Sequence, residues 1–254
     1  MNLKKISASL KKPLSYKEQL EKLINDKNVL VKNEEESEAL EYLKSVNYYF
    51  ISGYLLPYKY KKDDGTEAYS EIEFKKIKEM IEFDYGLKEI LMPIISKIEK
   101  SIKTNIAYYF AHNYRYGNIA YIDFMAFKDP KLSKKDTKNI KIKKNHDRLL
   151  KEIENMKYNN KNLAFVKHHL KEYGGNIPIW AIIELFTFGN LCKFYSMLNN
   201  STQKSIAISF EIKSKILFEK WLEELRRFRN LIAHDQRLYN LRIQTPPKHK
   251  FYNK

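Results

Sequence analysis

The chain has 254 residues, enough for one large or two small domains with a genuine core. Its 47 Lys and Arg against 31 Asp and Glu leave a formal charge of +16, a surplus that suits a polyanionic partner, either nucleic acid or an anionic surface. A single cysteine, Cys192, excludes an internal disulfide and a Cys-based zinc site, and the seven scattered glycines form no phosphate loop.

The N-terminal residues lack the apolar stretch of a signal peptide, and no apolar run approaches the ~18 residues of a membrane span. The expectation is a soluble cytoplasmic protein with no membrane partner. Six histidines occur without paired-ligand spacing, so neither a metal nor another cofactor is expected. Helical periodicity recurs along the chain and period-two alternation is rare, which predicts an all-α fold.

Ser15 with Glu18 reads as a capping box opening a helix to about Asp26, and Asn33 with Glu36 suggests a second through Val46. The aromatic stretch from Asn47 to Tyr60, interrupted by Gly53 and Pro57, reads as short helix and turn. Residues 1–69 are therefore expected to form an N-terminal helical arm, and 70–254 the main helical domain. Asp63-Asp64-Gly65 is a turn signal, Ser70 with Glu73 suggests another cap, and apolar positions continue at helical spacing to about Tyr114, with Gly86 and Pro93 as places for a break or kink.

After the Tyr116-Gly117-Asn118 turn, a short helix is expected over Ile119 to Phe127. Residues 131–148 then carry eight basic residues and two acids, among them Lys134, Lys135, Lys138, Lys141, Lys143 and Lys144. The segment suits either a solvated basic helix or loop, or a surface that tracks phosphates. Helices are expected again near Asp147 to Met156 and Ala164 to Tyr173, the latter closed by Gly174-Gly175. An apolar helix from Ile179 to Leu198 would carry Glu184 in its middle, where the carboxylate needs a cation. That cation could belong to a structural pair locking helices together or to a catalytic arginine.

The last predicted helix holds the chemistry. Leu217, Trp221, Leu225, Phe228 and Ile232 suggest an apolar stripe, while Arg226 or Arg227, Asn230, His234 and Arg237 recur on the other side. A guanidinium neutralises phosphate at any physiological pH and an imidazole moves protons near neutrality, so Arg229 and His234 together supply what RNA cleavage needs without a metal. Asn230 lies one turn before His234 and could orient its ring. On one helix, residues five apart are about 140° around and ~7.5 Å along the axis, so a dimer sharing the site, or a second copy of the helix, is expected.

The run Arg-Phe-Arg-Asn-Leu-Ile-Ala-His-Asp-Gln-Arg-Leu-Tyr-Asn at 227–240 resembles the signature of the bacterial Abi-like, or abortive infection, family within the HEPN superfamily. Ser15 to Leu20, Tyr42 to Tyr58, Ile98 to Thr104 and Pro178 to Gly189 resemble other segments of that family, so the likeness spans about Pro13 to Asn240. The resemblance implies a HEPN-like helical bundle and a metal-independent endoribonuclease acting in phage defence or a toxin–antitoxin system. It maps the family's Arg-x4-6-His motif onto Arg229 and His234, with Asn230 at its frequent polar position. Lys103 stands where relatives often carry arginine, and Glu99 and Glu184 match family positions of less settled role.

The reaction so implied is attack of an RNA 2′-hydroxyl on the neighbouring phosphate. His234 would serve as general acid or base and Arg229 would stabilise the phosphate. Arg226, Arg227, Arg237 and Tyr239 are candidate RNA contacts, and Tyr239 equally suits a packing role. The expected partners are RNA, a second copy of the chain and an antitoxin. The alternative is a noncatalytic protein that forms a ribonucleoprotein with a structured small noncoding RNA, and a helical adaptor for acidic proteins is a third reading.

Overall fold

The computed structural model describes residues 11–128 and 136–241. Among these the protein is all-α, and strands are confined to two short ladders. The described residues fall into two compact units, one of residues 11–91 with 234–241 and the other of residues 92–128 with 136–233.

In the first unit, α1 (Tyr16–Lys27) opens with the expected capping box: Glu18 N–H donates to Ser15 Oγ at 3.3 Å, and Ser15 N–H donates to Glu18 Oε2 at 2.6 Å. β1 (Val29–Leu30) follows, then a 3₁₀ turn and α2 (Glu36–Ser45). Asn47 caps α3 (Tyr48–Tyr54) by accepting from Tyr49 N–H at 2.8 Å.

The hairpin of β2 (Lys59–Lys61) and β3 (Glu67–Tyr69) surrounds the Asp-Asp-Gly turn, where Gly65 holds φ +80. Three-residue strands are too short to show alternation, so the sequence displays only their turn. β4 (Ile72–Glu73) pairs in parallel with β1, which delays the helix expected after Ser70 until α4 (Phe74–Asn113). Leu20, Leu23, Leu43, Ile51, Tyr54 and Ile77 are central to this unit's core.

The 40-residue α4 contributes to both units, and the division falls between Leu91 and Met92, beside Pro93. The helix is continuous through Gly86 and Pro93. Proline denies the carbonyl four residues earlier its helical donor, and Glu89 is exposed, so water can satisfy it.

The second unit continues through a tight turn in which Gly117 is obligatory, since a Cβ there would lie 2.2 Å from the carbonyl oxygen of Ala111. A 3₁₀ turn (Ala120–Ile122) and α5 (Phe124–Phe127) replace the single short helix expected here. α6 (Thr137–Asn159) begins ten residues earlier than its periodicity suggests, because Asp136 caps it by accepting from Lys138 N–H at 2.8 Å. α7 (Ala164–Glu172) ends at Gly174 and Gly175, both at positive φ, and Gly175 N–H donates to His169 O at 3.0 Å.

The helix expected from Ile179 to Leu198 is broken into α8 (Ile179–Ile182), a 3₁₀ turn (Ile183–Leu185) and α9 (Phe188–Met197). Thr187 is extended and starts α9 with its own capping box: its N–H donates to Asn190 Oδ1 at 2.9 Å, while its Oγ1 accepts from Asn190 N–H at 3.2 Å. The buried Asn190 also donates to Glu152 on α6, which pairs with Lys193 at 3.2 Å. α10 (Asn200–Ser209) and α11 (Lys215–Ala233) complete the unit, around a core that includes Ile106, Phe110, Leu149, Phe194, Phe218 and Leu222.

Candidate active site

The apolar stripe of α11 is rotated from the expected one. Phe218, Leu222 and Ile232 are buried and Leu225 packs on the core, whereas Trp221 is 37 % exposed. Positions 218, 222, 225, 229 and 232 step by four, three, four and three, so they form one face of the helix. Arg229 is the only charged member of that face. The helix therefore turns this guanidinium inward, away from the solvated side that carries Arg227 and Glu223.

What meets it is Glu99 on α4. Arg229 Nε lies 3.6 Å from Glu99 Oε2, beyond hydrogen-bond length, and this buried Nε has no hydrogen-bond partner. Lys103 lies one turn after Glu99, with Nζ 3.5 Å from Glu99 Oε1. The same ammonium donates to the backbone carbonyl of Glu184 at 2.9 Å. One carboxylate thus faces two cations, leaving the cluster with a net positive charge.

The Glu99 and Lys103 side chains are only 16 % and 11 % exposed, but a third of Arg229 remains accessible. Glu184 enters this cluster through its main chain only. Its side chain is exposed, because the break before Thr187 reorients the segment expected to bury it.

Arg226 pairs with Glu223 at 2.9 Å and Arg227 with Glu224 at 3.2 Å, both one turn back along α11. Asn230 is half-buried near the helix end. The helix stops at Ala233, so His234 is not in its last turn but is the first residue beyond it, and it is exposed. Asp235 adopts φ 51, a left-handed conformation that Asp tolerates and that ends a helix.

The residues after His234 are anchored in the first unit. Lys88 Nζ donates to Asp235 Oδ1 at 2.7 Å. Asp84, fully buried, accepts through Oδ2 from Leu238 N–H at 2.8 Å and from the Tyr54 phenol at 2.7 Å. Burial, then this bond to a carboxylate, pushes the Tyr54 pKa far above its usual range, so Tyr54 stays a donor.

Lys88 is also 3.9 Å from Asp84 Oδ2 and sits over the Tyr85 ring at 5.1 Å. Arg237 lies over the Tyr54 ring at 5.9 Å, and its Nη1 and Asp84 Oδ1 are buried without hydrogen-bond partners. Tyr239 packs against the first unit's core, the packing alternative expected for it.

Sequence reading missed Asp84 and Lys88. Their four-residue spacing on α4 was the available signal.

On α6, Asn139, Ile142, His146, Leu149 and Ile153 face inward while Lys138, Lys141, Lys143 and Lys144 are exposed. Lys143 pairs with Asp147 at 3.3 Å and lies 5.3 Å from the Phe124 ring centroid. Lys134 and Lys135 lie outside the described residues.

The motif, its inward arginine and the anchored segment after the histidine all fall within residues 41–240, the span matched by a family model described as Abi-like protein. The chain belongs to the Abi-like protein family. No curated protein and no solved structure shows significant similarity to this Abi-like chain. Among its described residues no helix is long and apolar enough to cross a membrane.

Proposed function

We propose that this Abi-like chain is a metal-independent endoribonuclease of the HEPN type, acting in abortive infection or a toxin–antitoxin system. The observation that carries the reading is the unusual placement of Arg229. A guanidinium on the core-facing stripe of α11, a third exposed and held beside Glu99 without a hydrogen bond from Nε, is poorly explained by packing alone. It suits a cation kept in place for a phosphate.

In this reading the 2′-oxygen of RNA attacks the adjacent phosphorus, the bond to the 5′-oxygen breaks, and a 2′,3′-cyclic phosphate remains. His234, exposed and backed by the Lys88–Asp235 pair at the next residue, transfers protons at the attacking or leaving oxygen. Arg229 stabilises the charge that grows on the phosphate, and Asn230 helps to orient the substrate or ring. Glu99, itself paired with Lys103, holds Arg229 in position. A homodimer would bring a second Arg229 and His234 to the RNA, and an antitoxin would restrain the activity.

The test is incubation of the purified protein with single-stranded RNA in chelator, followed by analysis of the new 3′ ends. Cyclic phosphate ends, and inertness of the all-deoxy strand, are the expected results. Cleavage of DNA at an equal rate, or 3′-hydroxyl ends, would refute the mechanism.

The noncatalytic ribonucleoprotein reading draws on the outward basic face of α6, where Lys143 lies beside Phe124. Native purification with a defined-length RNA bound and no cleavage would favour it.

A further inference from the structure

The groove over α1, α2 and α3 in the first unit belongs to neither the motif nor the basic stretch of α6. Five lysines line it, namely Lys11, Lys12, Lys22, Lys27 and Lys44, and no carboxylate does. Three tyrosines line it as well. Tyr49 is 74 % exposed and Tyr16 46 % exposed, while Tyr48 is half-buried with its ring 5.7 Å from that of Tyr49, edge to face. Leaving a large aromatic side chain that open forgoes the stabilisation that its burial would supply.

Some of the charge is already engaged. Lys22 pairs with Asp26 at 3.1 Å, Lys44 pairs with Glu41, and Lys27 donates to the Tyr69 phenol at 2.7 Å. Those carboxylates lie outside the groove lining, so its inner surface remains cationic. Exposed aromatic faces between cations are the combination by which proteins hold single strands: lysines meet successive phosphates and rings stack on unpaired bases, with little regard for sequence. A duplex would offer the phosphates but keep its base faces stacked away from the tyrosines.

We propose that this groove is a second nucleic-acid site that holds a single-stranded stretch of RNA by stacking on Tyr16 and Tyr49 and by phosphate contacts from Lys11 and Lys12. It rests on the reading that the protein acts on RNA and adds where a strand is held outside the motif. Charge complementarity and the open rings select this occupant over an apolar peptide, which would offer Lys11 and Lys12 no counter-charge.

The experiment uses the full chain carrying His234→Ala, so that binding is read without cleavage, and a fluorescent single-stranded RNA of about a dozen nucleotides followed by anisotropy across a salt series. Tyr16→Ala with Tyr49→Ala should weaken binding about tenfold or more, as loss of stacked bases does. Lys11→Gln with Lys12→Gln should reduce the slope of log affinity against log salt by about 1.4, from ~0.7 for each phosphate that is no longer neutralised. These residues are exposed, and unchanged melting temperatures would show that the fold is retained.

Unchanged affinity and slope in both variants would overturn the groove. So would equal affinity for a duplex of the same length, or equal loss of binding to poly-glutamate in the tyrosine variant. Absence of cleavage by the parental chain alongside groove-dependent binding would instead refute the nuclease and leave the groove standing.

Discussion

The two ends of a six-residue motif sit in contrasting settings. Arg229 is on the inward stripe of α11, in the second unit, where helix packing fixes its backbone and Glu99 and Lys103 set its charge environment. His234 is one residue past the helix, in the first unit, exposed, and followed by a segment held through buried Asp84 and Lys88. A charge stabiliser benefits from a rigid, partly desolvated seat, where its field is less screened. A proton carrier must reach both water and substrate, so exposure with an anchored backbone serves it better.

Substitutions on the two sides should therefore fail differently. The largest effect is expected at the inward end. Arg229→Ala should lower RNA cleavage by about 10²- to 10³-fold in single-turnover assays, in line with removal of a charge-stabilising donor. Undiminished cleavage would show that its inward placement is purely structural.

On the other side, Asp84→Ala leaves the Tyr54 hydroxyl and Leu238 N–H buried without their acceptor. It should cost about 3 kcal/mol in denaturant unfolding, and a loss below ~0.5 kcal/mol, within the range of ordinary surface substitutions, would mean that the anchor is not structural. Lys88→Met breaks an ion pair with an aspartate whose side chain is 55 % exposed. The expected loss is nearer 1 kcal/mol after solvent screening, measured the same way.

The smallest effect belongs to the solvated face of α11. Arg226→Gln with Arg227→Gln breaks two ion pairs along the helix and should change stability by no more than about 0.5 kcal/mol per pair. If these arginines meet RNA, the salt slope of binding falls instead.

Much of the fold was legible in the sequence because its signals are local. Ser15 with Glu18 and Gly174-Gly175 act within a few residues, and the structure places both caps as read. Reading failed where a local pattern had a competitor. The apolar run after Ile179 hid Thr187, whose capping box with Asn190 breaks the helix and frees Glu184 from the core.

Trp221 drew the α11 stripe toward itself by sheer hydrophobic size, although the residues buried are its neighbours Phe218 and Leu222. That error of about one position hid the inward aim of Arg229. The hydrogen-bond partners of Asp84, Tyr54 and Leu238, are 30 and 154 residues away. Long-range hydrogen bonds leave no periodic trace.

The most direct measurement compares the parental chain with His234→Ala on the same RNA in chelator. Because His234 is exposed and lies outside both cores, the variant should keep its melting temperature while cleavage falls at least ~10²-fold. Cleavage by His234→Ala at the parental rate, with the fold intact, would contradict the assignment.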